Sequence, residues 1–374
     1  MSSLKRIGTT LVVAIAIVLM SASFTSNDIL DRAIIIGLGL DLSQDNQLVV
    51  TAEVVSPGNG SEQVGTFSKT ITVQGQTVAH AIGQITQKMG KEASLGQCAL
   101  LILGNSLYTQ VDFSQIVDYF IHSYNFKESS VICCAKGEAK QILNYGAGMS
   151  QSVSLAIVSM LQQQAKSTAL PTNSLLQYAR SQKELSRTGF INYVQFVPSQ
   201  NVDEQNPDKT QGYFAYNQLV VFRDNKFVGY LSHEQLRGLS LLTKSVTGDV
   251  FIVQADGEKV TFITGEKSVD MQITETNVTL RLKLKCRLAR SDDFGVNGVF
   301  TVQTEQDLPK ELLQNIRQQA THLVQNFVDY QQQNNVDLIY LHEKFRQKYG
   351  STDFVNTFAM DDLHFDVLVQ VEQN

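Results

Sequence analysis

Histidines, cysteines and clustered acids or bases are the side chains of this chain that could carry chemistry. Six histidines occur, His80, His122, His233, His322, His342 and His364, and no two sit four residues apart on one helical face. None neighbours a cysteine cluster, so a zinc site would have to assemble from distant positions. The four cysteines are Cys98, Cys133, Cys134 and Cys286. Cys133 and Cys134 are adjacent and point to opposite faces of a strand, and no Cys-x-x-Cys redox pair exists. Cys98 and Cys286 sit in apolar runs and read as buried small hydrophobes. One long-range disulfide among the four stays open. Gly37 and Gly39 make a Gly-x-Gly inside a strand, without the third glycine and following helix of a dinucleotide fingerprint. Gly-x-Ser-x-Gly and a phosphate-binding loop are absent, and Gly146-Ala147-Gly148 lacks a following Lys-Ser/Thr. The acid pairs Asp292-Asp293 and Asp361-Asp362 flank turn-like segments as solvated or capping groups. Arg281, Lys283, Lys285 and Arg287 alternate along a strand. That basic face reads as a solvated outer sheet surface, with an anionic lipid or an acidic partner as the alternative. No catalytic constellation, metal or cofactor is expected.

Elements must position these residues. The chain has 374 residues, 43% of them hydrophobic and 8% aromatic, enough for two or three packed domains. Its formal charge of −6 gives no electrostatic reason to bind nucleic acid. Ile34 to Leu42 and Leu48 to Val55 read as a strand hairpin, followed by a short strand at Ile71 and Val73. Val78, Ile82, Ile85 and Met89 mark an amphipathic helix ending at Gly90. A strand at Cys98 to Leu103, a helix at Phe113 to His122 and a strand at Ser130 to Ala135 suggest a parallel crossover. Helices are expected over Ala139 to Leu143, Ser152 to Gln164 and Ser174 to Leu185.

The polar stretch Pro198 to Lys209 is the best boundary candidate. Beyond it, Phe214 to Phe222 and Phe227 to Leu231 flank the turn Arg223-Asp224-Asn225-Lys226. Ser232 and Gln235 form a capping box for a helix through Leu242. Short strands follow at Val250 to Val253 and Val260 to Thr264. Val278 to Leu288 alternates strictly, with one apolar face. A long helical stripe from Leu312 to Tyr330, a second helix from Leu338 to Tyr349 and an alternating strand from Leu363 to Val371 close the chain, and long antiparallel strands are expected there. The fold class is therefore α+β (mixed α/β), with mixed sheets and packed helices. Three consecutive domains are expected at 25–190, 209–264 and 265–374.

Residues 1–24 read as a signal peptide or signal anchor. Lys5 and Arg6 precede an apolar run that contains Leu11, Val12, Val13, Ile15, Ile17, Val18, Leu19 and Met20, and small residues follow up to Ser23. Ile7 to Phe24 has no charge, so an uncleaved anchor is as open as a cleaved leader. Cleavage would remove two cations and leave −6 − 2 = −8. The chain is expected to be exported and membrane-associated.

Three stretches together resemble one family. Asp31 to Asp41 (DRAIIIGLGLD) is similar to an opening apolar strand ending in Gly-x-Gly-x-Asp. Ala215 to Leu242 resembles an apolar strand, basic turn and short strand followed by Ser/x-Glu-x-x-x-Gly-Leu. Lys226 to Leu231 and Glu234 to Leu239 carry that part of the match. The third stretch is the long helix, Asp337-Leu338-Ile339, the short helix to Tyr349-Gly350 and the last strand. In this order they resemble the Ger(x)C lipoproteins, the C-subunit family of bacterial spore germinant receptors. The resemblance implies three α/β-type domains, no enzymatic activity, no cofactor, and work beside membrane-embedded A and B subunits in the spore inner membrane. It departs from the family at the lipobox. Ser23 stands where the lipidated cysteine belongs, with Phe24 in the following tryptophan position. A serine hydroxyl cannot form the thioether to diacylglycerol, so the protein must be tethered by an uncleaved leader, held by its partner subunits, or released. Two alternatives from other classes are an exported small-molecule-binding protein and, below it, an exported hydrolase.

Overall fold

The computed structural model describes residues 32–56, 67–123, 125–145, 152–167, 172–198, 212–243, 250–255, 258–288 and 310–373. The expected leader residues, Leu11 through Ser23, lie outside them.

The first hairpin forms as expected. β1 (Arg32–Leu42) pairs antiparallel with β2 (Leu48–Ser56), and β2 with β3 (Phe67–Gly75). Helix α1 (Val78–Met89) ends at Gly90, whose φ of 62° is the left-handed geometry that stops helices. The chain then crosses back, and β4 (Glu92–Ser94) and β5 (Leu100–Leu103) lie end to end, parallel to β1. Helices α2 (Asn105–Gln110) and α3 (Ser114–His122) lead to β6 (Val131–Ala135), parallel to β5. Three further helices follow: α4 (Ala139–Asn144), α5 (Val153–Ser167) and α6 (Leu175–Ser181).

The eleven residues from Thr188 to Pro198, which the periodicity argument passes over, form β7, parallel to β6. β8 (Gly212–Arg223) returns antiparallel to β7, and β9 (Lys226–Leu231) completes the sheet. The tight turn between them has positive φ at Asp224 (52°) and Asn225 (57°), the mirror-image turn that matches strand twist. The result is a nine-stranded sheet, β3-β2-β1-β5-β6-β7-β8-β9 with β4 beside β1. Parallel strands occupy its centre and antiparallel hairpins its two edges.

Helix α7 (His233–Thr243) opens with the expected capping box. The Gln235 N–H donates to Ser232 Oγ at 3.2 Å and the Ser232 N–H to Gln235 Oε1 at 2.8 Å. The second sheet runs β10 (Val250–Ala255), β11 (Glu258–Thr274), β12 (Asn277–Leu288) and β13 (His364–Gln373). Helices α8 (Lys310–Asn334), α9 (Leu341–Tyr349) and α10 (Asp353–Thr357) lie between β12 and β13 in sequence. That long connection lets β13 run parallel to β12, against the antiparallel arrangement expected.

Hydrogen bonding crosses both expected domain boundaries. β7 and β8 pair over the 198–212 gap, and β11 runs through residue 264 as one seventeen-residue strand. Packing explains this. One face of the first sheet is closed by α1, α2, α3 and α6, with Tyr108, Phe113, Phe120 and Tyr178 buried among the strands. The other face packs α4 and α5, and its apolar cluster continues through Leu231, α7 and α8 into Val278, Leu280, Leu282, Leu284 and Cys286 of β12. Helix α7 bridges the two sheets. Its Gly238 lies so close to α8 that a Cβ there would come within 2.2 Å of the Leu323 carbonyl oxygen. The family-like Gly-Leu at 238–239 is thus a helix-crossing point.

Candidate functional site

Three acidic side chains are buried, and each holds the start of a helix. Asp41, at the end of β1, accepts hydrogen bonds from the N–H groups of Ala139 (2.7 Å) and Lys140 (2.9 Å) at the start of α4. Glu53, in the middle of β2, accepts from Val153 N–H (3.0 Å), Ser154 N–H (2.9 Å) and Ser154 Oγ (2.5 Å) at the start of α5. Asp337 accepts from Leu341 and His342 N–H, both at 2.9 Å, ahead of α9. Helix starts carry unpaired N–H groups and partial positive charge, so a carboxylate is their natural partner. Burial pushes the Asp41 carboxyl above its ordinary range, partly offset by the two backbone donors.

The same contacts account for the Gly-x-Gly-x-Asp pattern. A Cβ on Gly37 would lie 1.8 Å from Ser154 Oγ, and one on Gly39 3.0 Å from the Ala139 Cβ. Small residues let α4 and α5 descend onto β1, where Asp41 and Glu53 meet them. In parallel α/β sheets the carboxyl ends of strands are where ligands bind helix N-termini. Here the chain's own carboxylate occupies that position. Sequence reasoning read Asp41 only as a motif position and passed over Glu53. The available signal was an acid inside the apolar run LVVTAEVV.

A cleft of about 210 Å³ opens where the first sheet meets the C-terminal segment. Arg180, Ser181 and Glu184 line it from α6 and the loop beyond, and Thr188, Asp337 and Tyr340 from the facing chain. Its serine and threonine hydroxyls are engaged: Ser181 Oγ donates to the Tyr178 carbonyl at 2.7 Å and Thr188 Oγ1 to the Ser186 carbonyl at 3.0 Å. Burial, with Glu343 and Asp337 nearby, raises the Glu184 carboxyl; burial also raises Tyr340. Tyr340 stands at φ 60°, ψ 41°, a left-handed conformation that costs a bulky residue about 1–3 kcal/mol. This shifts the start of α9 to Leu341, three residues after the expected Leu338. The cleft is smaller than the roughly 300–1,000 Å³ usual for small-molecule sites. It can take a polar side chain, and its hydroxyls are not poised as nucleophiles.

The remaining expected site residues do not gather there. The strand β12 faces as predicted, but the register sets acids beside its bases. Arg281 lies 3.8 Å from Asp270 and Lys285 2.7 Å from Glu266, with the Lys285 hydrogen bond drawing Glu266 below its usual range. On β13, Asp366 and Glu372 sit opposite Thr279 and Lys285. The stripe is therefore a mixed-charge solvated surface. Cys98, Cys133, Cys134 and Cys286 are buried free thiols, not a disulfide; burial pushes Cys98 up to about 12. Among the described residues no group of His, Cys, Asp and Glu could hold a metal. His342 instead lies 3.0 Å from Asp337 Oδ2 and stacks on Phe358, and His122 Nδ1 lies 2.8 Å from the Asp118 carbonyl.

A family model described as a spore germination protein N-terminal domain matches residues 25–196. A second, described as spore germination B3/GerAC like, C-terminal, matches residues 217–372. The chain is 21% identical over 230 residues to spore germination protein B3 of Bacillus subtilis (strain 168). That alignment covers 60% of this chain and 58% of the relative, so it spans little more than half of the relative's length. Among solved structures, the GerBC protein is similar with a TM-score of 0.48 and 16% identity, over 90% of this chain and 96% of that one.

Proposed function

The chain belongs to the Ger(x)C family of spore germinant-receptor C subunits, and on that premise we propose that it is a docking subunit that assembles the receptor and passes on its germination signal. The family is one of non-catalytic, membrane-associated receptor subunits. Its partners in this reading are the membrane-embedded A and B subunits, met on the outer face of the spore inner membrane. The leader, with Leu11 to Met20 as its apolar core, takes the place of the missing lipid on Ser23. Among the described residues no helix is long and apolar enough to cross a membrane, so retention falls to the leader or to partners.

The observation that carries this reading is the order of the two family models along one continuous core. Residues matched by the first model and by the second share the apolar cluster that links the two sheets. Such a unit presents fixed surfaces to neighbours, and its buried carboxylates Asp41, Glu53 and Asp337 are engaged in holding helices. Surface recognition is what this arrangement serves best.

Pull-down of the tagged full chain from sporulating cells, with mass spectrometry of the membrane fraction, tests it. Recovery of two multi-span proteins in constant ratio is the expected result. Recovery of none, or measurable turnover of a substrate by the purified chain, would sink the reading. Membrane fractionation of a chain starting at Ser26 tests the leader separately: full retention would show that residues 7–24 are not the anchor.

A further inference from the structure

The end of the first sheet where β1 begins carries a charge unlike that of the whole molecule. Register sets Glu92 beside Arg32, and Lys91 precedes it. Lys69 on β3 pairs with Val54, which lies opposite Ile35, so β3 enters at the same end. β6 begins at Val131, level with Leu100 and Gly37, which puts Lys127 and Glu128 on the loop that enters this end. Arg32, Lys69 and Lys127 are exposed and Lys91 half-buried. Only Arg32 has an acidic partner, Glu92 at 4.0 Å; among the described residues no acid lies within ion-pair distance of the three lysines. On the β3-to-β6 side of this end, these four bases and two acids sum to 4 − 2 = +2 in a chain of −6. The opposite end, after β1 and β6, carries Asp41, Asp45 and Glu138 against Lys136 and Lys140, a formal 2 − 3 = −1.

Chain length points the same way. Seven residues, 25–31, separate the proposed anchor from Arg32. Seven residues reach at most about 25 Å in any conformation. β1 itself, eleven residues long, spans about 35 Å. A tether that short keeps the Arg32 end of the sheet near the bilayer, while the Leu42 end is free to stand up to the length of β1 farther off.

We propose that the Arg32–Lys69–Lys91–Lys127 end of the sheet rests on a membrane surface of anionic phospholipid headgroups. The inference rests on the leader acting as anchor and adds the orientation and the lipid chemistry. Basic side chains near an anionic leaflet each strengthen association about fivefold, and salt screens the effect.

The test uses the full chain in vesicles, labelled with a fluorophore at Ser129→Cys or Gln44→Cys. The four native thiols are buried and do not compete for the label. Lipids spin-labelled at the headgroup act as quenchers. In vesicles containing phosphatidylglycerol, the Ser129 label should be quenched at least about threefold more than the Gln44 label. The ratio should fall towards one in 1 M salt, in purely zwitterionic vesicles, and when Lys69, Lys91 and Lys127 are all changed to Glu. The salt arm needs no charge substitution and stands if the triple variant folds poorly. Equal quenching at both labels on sedimented vesicles leaves the tether intact and overturns this surface. A ratio unchanged by salt and lipid charge overturns the electrostatic contact. Failure of the chain to sediment with any vesicle overturns the anchor, and this orientation with it.

Discussion

Asp41 Oδ1 lies 2.7 Å from the backbone nitrogen of Ala139, ninety-eight residues away in the chain. That hydrogen bond ties the end of the first strand to the start of α4, and the Lys140 N–H bond to Oδ2 doubles it. Replacing Asp41 by Ala leaves two N–H groups of a buried helix start without their acceptor. The expected loss is about 1–3 kcal/mol of unfolding free energy, read from urea denaturation.

Asp41 also sets a pH signature. Its carboxyl is raised in the folded state, chiefly by burial, so the native protein binds this proton more readily than the unfolded chain. Stability contributed through this group is present at low pH and is lost as pH rises from the unfolded value of 3.8 through the higher folded value. The stability of the wild type minus that of Asp41→Asn should therefore fall over that window and stay flat above it. A wild type that instead gains stability relative to Asp41→Asn as pH rises there would show that the hydrogen bonds outweigh burial.

Gly37 and Ser154 form a second testable pair. Gly37→Ala places a methyl 1.8 Å from Ser154 Oγ, and relief requires moving α5 away from Glu53. A cost of about 1–3 kcal/mol is expected from such overpacking. Adding Ser154→Gly should restore part of it, whereas additive losses in the double-mutant cycle would rule the contact out.

Two helical glycines should respond in opposite directions. Gly83 on α1 has nothing within 4 Å of an added Cβ, so Gly83→Ala should stabilise by about 0.5–1 kcal/mol. Gly238→Ala drives a methyl into the backbone of α8 at Leu323 and should destabilise by about 1–3 kcal/mol despite the better helix propensity. Thermal or chemical denaturation of the two variants side by side checks the contrast.

The thiols give a simple check on the core. Cys98, Cys133, Cys134 and Cys286 are buried, and burial disfavours the thiolates of Cys98, Cys133 and Cys134. Native protein should release almost no colour from a thiol-exchange reagent at pH 8, and four equivalents in 6 M guanidinium. Fewer than four under denaturing, non-reducing conditions would reveal a disulfide.

What the sequence determined by itself was whatever depends on near neighbours along the chain. The i, i+4 stripe of α1 and its Gly90 stop, the Ser232/Gln235 capping box, the Asp224-Asn225 turn and the strict alternation of β12 all report local backbone geometry and one buried face. Only the tertiary structure decided the pairings between distant segments. β7 has weak alternation and becomes a strand because β6 and β8 offer ladders on both sides. β13 runs parallel to β12 because three helices intervene. Glu53 reads as an ordinary acid, and Asp41 as a motif position, until helix starts arrive from elsewhere to be capped. The bases of β12 are offset by Asp270 and Glu266 only once the register is set. A one-residue slip would carry those side chains to the other face, so neither the partner nor the net charge of a surface can be read from one strand alone.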